Sequence, residues 1–98
     1  MKVDNLKETL EEARPNVKES TKKMYESNLK KLKKMFDTDS WDFLKNVNNV
    51  KDKLKNLHYT SQRNYYNSII ILLMALNSDK KLDKLLSEYN TLRDDLNK

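Results

Sequence analysis

Apolar residues recur along this chain at helical spacing, and no stretch alternates with the period of two that a half-buried strand requires. Val3, Leu6, Leu10 and Ala13 follow one another at intervals of 3, 4 and 3, which predicts a first helix over Val3 to Ala13, ended by Pro15. Tyr25, Leu29, Leu32 and Phe36 form a narrow stripe, predicting a second helix from Thr21 to Phe36 with Ser20 as its N-cap. The segment 37–40 (DTDS) reads as a loop. In it, Ser40 can cap a short helix carrying Trp41, Phe43 and Leu44, with Trp41 as a core or lid residue rather than a base-stacking platform. Val50, Leu54 and Leu57 predict another short helix from about Asn49 to Leu57.

The segment Gln62 to Leu76 differs from the others. Tyr65, Ile69, Leu72 and Leu76 make one stripe, Tyr66, Ile70 and Leu73 a second, and Ile71, Met74 and Ala75 fill much of the remainder. A helix apolar nearly all round belongs inside a bundle. Its first turn, Ser61-Gln62-Arg63-Asn64, is polar and has to reach solvent or a ligand. A last helix is predicted from Lys81 to Leu96 on Leu82, Leu85, Tyr89, Leu92 and Leu96, which repeat at 3, 4, 3 and 4. Two heptads are too few for a coiled coil, so this helix is expected to pack on the core.

Composition sharpens the picture. The 98 residues suit one domain, with 1–14 an N-terminal helix, 15–78 the main body and 79–98 a C-terminal helix. There is no Gly and one Pro, so positive-φ turns fall to Asn or Asp, hairpins are disfavoured, and no phosphate-binding glycine loop can exist. No Cys and a single His, His58, leave no thiolate site, multi-histidine metal site or nucleophilic triad. The adjacent carboxylates Glu11-Glu12 and Asp94-Asp95 point in different directions on a helix, so no metal or other cofactor is expected. The longest apolar run, Ile69 to Leu76, falls well short of the roughly 20 residues a membrane span needs. The charged first 13 residues do not resemble a signal peptide, so a protein working inside the cell is expected.

Charge is what points to a function. Between Pro15 and Phe36 stand seven lysines (Lys18, Lys22, Lys23, Lys30, Lys31, Lys33, Lys34) against two glutamates. Between Val50 and Asn64 stand Lys51, Lys53, Lys55 and Arg63 against Asp52. The rest of the chain is net acidic although the whole carries +5. On a helical wheel Lys23, Lys30 and Lys34 fall roughly 140–180° from Tyr25, opposite the apolar stripe, with Lys22 and Lys33 on a flank. A lysine-rich helix face is most simply a solvated face. Here the bases cluster beside two Ser/Thr-led helix starts, Ser20-Thr21 and Thr60-Ser61, where backbone N–H groups favour an anion. The candidate DNA contacts are therefore Ser20, Thr21, Lys22, Lys23, Lys30, Lys34, Lys53, Lys55, Thr60 and Ser61 for phosphate, with Gln62, Arg63 and Asn64 placed to reach base edges.

Two segments, ESTKKMYESNLKKLKKMF and VKDKLKNLHYTSQRNYYNSIIILLMAL, carry a family resemblance. Ser20, Thr21, Tyr25, Leu29 and Leu32, then Thr60, Ser61, Tyr65, Ile69, Leu72 and Leu73, resemble the N-terminal core-binding domain of tyrosine recombinases of the phage-integrase type. The likeness covers roughly residues 15 to 78. It implies a SAM-like domain of four or five helices, within an all-α bundle of four to six helices for the whole chain, that clamps one side of double-stranded DNA without catalysis of its own. In that family the catalytic arginines, histidine or lysine, and nucleophilic tyrosine lie downstream. The three arginines here (Arg14, Arg63, Arg93) form no Arg-His-x-x-Arg-type cluster. Two other readings stay open. One is a helical protein-interaction module using the heptad-spaced terminal helices as its docking face, whereas on the DNA-binding reading the C-terminal helix is the candidate for self-association on DNA. The other is a helical protein whose lysines serve solubility alone.

Overall fold

A helix with no polar side beyond its first turns has to be surrounded, and this chain surrounds it. The computed structural model describes Val3 and residues 5–96. Five α-helices occur among them, in the order α1 (Leu6–Ala13), α2 (Glu19–Met35), α3 (Val47–Leu54), α4 (Tyr59–Leu76) and α5 (Asp83–Leu96), with a 3-10 turn at Asp42–Lys45 before α3 and no strand. Helices α1, α2 and α5 all pack against α4, while α3 touches the 3-10 turn and α5. The all-α bundle expected from the periodicities is what forms.

The core is continuous. Leu10 of α1, Leu29 and Leu32 of α2, Trp41, Leu44, Val50, Leu54, the α4 residues Tyr66 and Ile69 to Leu73, and Tyr89 of α5 are all buried in one cluster. Six consecutive buried residues of α4, Ser68 to Leu73, cover more than a full turn, so the surroundings of this stretch come from every side. Leu76, expected to be buried, is only partly covered at the edge of this cluster, where α4 ends. Ser68 is the polar member of this region. Its hydroxyl donates to the Asn64 carbonyl at 2.9 Å and accepts from the Asn28 amide of α2 at 3.2 Å. A small side chain here lets α2 approach, and both polar groups are satisfied.

Helix boundaries depart from the periodicity at the N-termini, and each departure has a local cause. Helix α1 begins at Leu6 because the Asn5 side chain accepts from the Glu8 N–H at 3.1 Å; Val3 precedes the helix but still packs on the core, and Asp4 lies outside the described residues. Helix α2 begins at Glu19 after Lys18, which supplies no side-chain cap, so Ser20 and Thr21 stand inside its first turn. The carboxylate of Glu19 suits the positive helix end and reaches Lys7 at 3.5 Å. Helix α3 begins at Val47, capped by the Asn46 side chain on the Asn49 N–H at 3.2 Å. Helix α4 begins at Tyr59, capped by His58 Nδ1, which accepts from the Thr60 N–H at 3.2 Å. The Ser40 hydroxyl does take the Asp42 N–H at 3.1 Å, leading the chain into the 3-10 turn.

Turns without glycine are made as the composition requires, with one addition. Asp37 has φ 48° just past α2. The Asp37 N–H bonds Lys34 O at 3.1 Å and the Thr38 N–H bonds Lys33 O at 3.3 Å, a Schellman closure with Asp in the usual glycine position. Among the described residues the other with positive φ is Lys80, φ 63°, in the turn between α4 and α5. There the buried Asn77, at the end of α4, holds the start of α5 with both ends of its amide: its Oδ1 accepts from the Leu82 N–H at 2.8 Å and its Nδ2 donates to Asp83 at 2.6 Å.

Candidate nucleic-acid interface

Helix α2 turns Tyr25, Leu29 and Leu32 toward the core, and this leaves its lysines outside. Lys23, Lys30, Lys31 and Lys34 line one shallow depression with Glu26 and Ser27, and all four lysines are exposed. Lys23 and Lys34 are separated by about 16 Å of helix axis. Glu26 is the one carboxylate in the depression and pairs with Lys30 at 2.7 Å, which leaves a net positive surface. Lys31, three residues from Lys34 and beside Lys30, completes the set; the i, i+3 relation in the sequence was the signal for it.

Toward the C-terminal end of α2 the basic surface continues. Lys30 and Lys34 also line an adjoining depression with Lys33, Asp37, Thr38 and Asp39. Lys53, in the last turn of α3, has its Nζ 6.0 Å from the centre of the Phe36 ring at the end of α2. Two lysine-bearing segments far apart in the sequence thus meet at the α2–α3 corner. Lys55, the residue that closes α3, is exposed and lies 3.9 Å from Asp52 on its own turn.

Other expected contacts are not part of this surface. Lys22 turns to α1, with its Nζ 3.9 Å from Glu11 and its side chain only 14% exposed. Ser20 and Thr21 stand at the opposite end of α2 from Lys34 and cap nothing. Thr60 and Ser61 are half-buried in the first turn of α4, and the Thr60 N–H is taken by His58, so the pair is not the expected cap. The Gln62 amide donates inward to the Leu57 carbonyl at 2.7 Å, bracing the α3–α4 corner rather than reaching outward to a base. Arg63 and Asn64 are half-buried on α4, and the Asn64 carbonyl serves the Ser68 hydroxyl.

The arrangement can bind a polyanion by charge. Among the described residues no group of three or more His, Asp or Glu side chains is placed to hold a metal ion. No described helix is long and apolar enough to cross a membrane. Exposed lysines act on phosphate as point charges whose reach at physiological salt is about 8 Å, so grip depends on several of them acting together. No known protein family matches the chain, and no match is found among curated proteins or solved structures.

Proposed function

We propose that this protein is a non-catalytic DNA-binding domain that grips duplex through the lysine face of α2. The observation that carries the reading is the joint placement of Lys23, Lys30, Lys31 and Lys34 around one exposed depression on the helix side facing away from the core. Duplex DNA presents one negative charge per ≈ 1.7 Å of axis, so a row of ammonium groups spread over about 16 Å of helix meets many phosphates. The contacts are to backbone and carry no base readout of their own. At the finer level we read the domain as the SAM-like core-binding part of a tyrosine recombinase, holding DNA in register for catalysis carried out elsewhere, inside the cell. The order and spacing of its two basic helical segments support that reading.

The interaction-module reading receives less support. The apolar residues of both terminal helices, Leu6 and Leu10 of α1 and Leu85, Leu86, Tyr89 and Leu92 of α5, are turned onto the core of the same chain.

A salt titration tests the function. Four to six phosphate contacts give a slope of log affinity on log salt of about −4 to −5, with roughly micromolar or weaker binding to arbitrary duplexes. Replacing Lys23, Lys30 and Lys34 together by Gln should bring the slope about 2.7 closer to zero. An unchanged slope would remove this face from the interface, and a parent chain with no affinity for duplex would remove the function.

A further inference from the structure

Five side chains form a row across the α2–α3 corner. Lys33 Nζ lies 4.6 Å from the centre of the Trp41 ring. The Trp41 ring lies 6.1 Å from Phe43. Phe43 stacks on Phe36 at 4.6 Å and 25°. Lys53 Nζ lies over Phe36 at 6.0 Å. An ammonium group from α2 therefore ends the aromatic row on one side, and an ammonium group from α3 ends it on the other. Trp41 is buried, so the row is anchored in the core rather than hung on the surface.

A lysine on a mobile stem loses side-chain freedom each time it holds a phosphate. Seating the ammonium on a ring face removes much of that freedom beforehand, because the face attracts the cation and the stem packs along apolar surface. An ammonium has three N–H donors, and a ring on one side leaves the others directed away from it. Lys53 is exposed and Lys33 half-exposed, so both remain open to an anion. Lys33 also shares its depression with Lys30 and Lys34, which joins the row to the basic face of α2.

We propose that Lys33 and Lys53 are phosphate-binding residues, and that the Trp41–Phe43–Phe36 row is the positioning device that holds their charges at a set spacing on one DNA backbone. This rests on the duplex-binding reading above and extends it to a second helix.

The test uses the full chain and a 20-base-pair duplex, followed by fluorescence anisotropy at several salt concentrations. Lys33→Gln and Lys53→Gln should each bring the salt slope about 0.9 closer to zero and weaken binding roughly fivefold at 0.15 M salt. Lys33→Arg should restore the slope, since a guanidinium keeps both the ring contact and the charge. Lys45→Gln removes an exposed lysine outside the row, paired with Asp42 at 3.8 Å, and should change the slope least. Trp41 is the chain's single tryptophan, so its emission reports directly on Lys33. It should change on adding duplex to the parent and stay constant in Lys33→Gln. If the parent binds duplex while Lys33→Gln and Lys53→Gln keep its slope, or if Lys45→Gln lowers the slope equally, the row plays no part and the α2 face alone stands. Absence of any duplex binding by the parent would overturn both readings.

Discussion

The Tyr89 hydroxyl donates a 2.6 Å hydrogen bond to the Leu44 carbonyl, tying the middle of α5 to the 3-10 turn. Both residues are fully buried, and the Tyr89 ring lies 6.2 Å from that of Tyr66 in α4. One side chain thus joins the last helix, the central helix and the turn that carries the aromatic row. Tyr89→Phe keeps the ring and leaves the Leu44 carbonyl without this donor. Urea unfolding should show a loss of about 1–3 kcal/mol with an unchanged m value. A near-neutral substitution would mean that the carbonyl is satisfied otherwise.

The same tyrosine makes the fold sensitive to alkali. Burial, with smaller contributions from Tyr66 and Glu88, holds the Tyr89 phenol protonated well above its ordinary range. In the unfolded chain it ionises near pH 10. Below that value the folded and unfolded chains carry the same proton and stability is unaffected. Above it the unfolded chain releases a proton that the folded chain keeps, so stability falls as pH rises. Thermal melts between pH 8 and 11 should show a steeper decline for the parent than for Tyr89→Phe, and parallel curves would exclude Tyr89 as the cause.

Leu72 is fully buried in α4 and Met74, two residues on, is 45% exposed. Leu72→Ala should cost about 2–5 kcal/mol by transfer and cavity formation. Met74→Ala should stay within roughly 0.5 kcal/mol, as surface changes do. Equal effects in chemical denaturation would contradict the placement of the apolar faces.

Asp37 holds a left-handed conformation that L-residues adopt at a cost. Asp37→Gly relieves it where the Schellman closure wants glycine, and should stabilise the domain by about 0.5–1 kcal/mol in thermal unfolding. A lower melting temperature would show that the Asp side chain does more for the turn than its backbone strain takes away.

Lys22 and Lys34 lie on one helix but face different partners. Lys22 meets Glu11 and is largely covered, whereas Lys34 is exposed beside Lys30 and Lys31. Lys22→Gln should leave the salt dependence of duplex binding nearly unchanged, and Lys34→Gln should reduce it by about one contact. Equal reductions would place Lys22 on the DNA after all.

What periodicity carries, the sequence shows well. The two stripes around Ile69 to Leu73 announce a surrounded helix, and the opposition of Lys23, Lys30 and Lys34 to Tyr25 announces an exposed basic face. Caps are harder to read, because a cap is chosen by where the upstream chain turns. Ser20 is a good cap in isolation, but the chain leaves its turn around Pro15 to Val17 early enough for the helix to start on Glu19. His58 caps α4 through a ring nitrogen, a role its residue type does not advertise. Tertiary pairings are harder still. Nothing near Lys22 in the sequence indicates Glu11. Lys33 reaches Trp41 only because Asp37 reverses the chain between them.

The enclosure of the Ile69 to Leu73 stretch of α4 has a cost of its own. Read apart from its neighbours, Ile69-Ile70-Ile71-Leu72-Leu73 is an uncharged aliphatic run, led by three β-branched isoleucines, of the kind that stacks into cross-β assemblies once uncovered. Helices α1, α2 and α5 act as its covers as much as its partners. Trimming α1 or α5, by proteolysis or by an ill-chosen domain boundary, should convert a helical domain into material that gains strand content and binds amyloid dyes. The terminal helices thus guard the chain against assembling with itself.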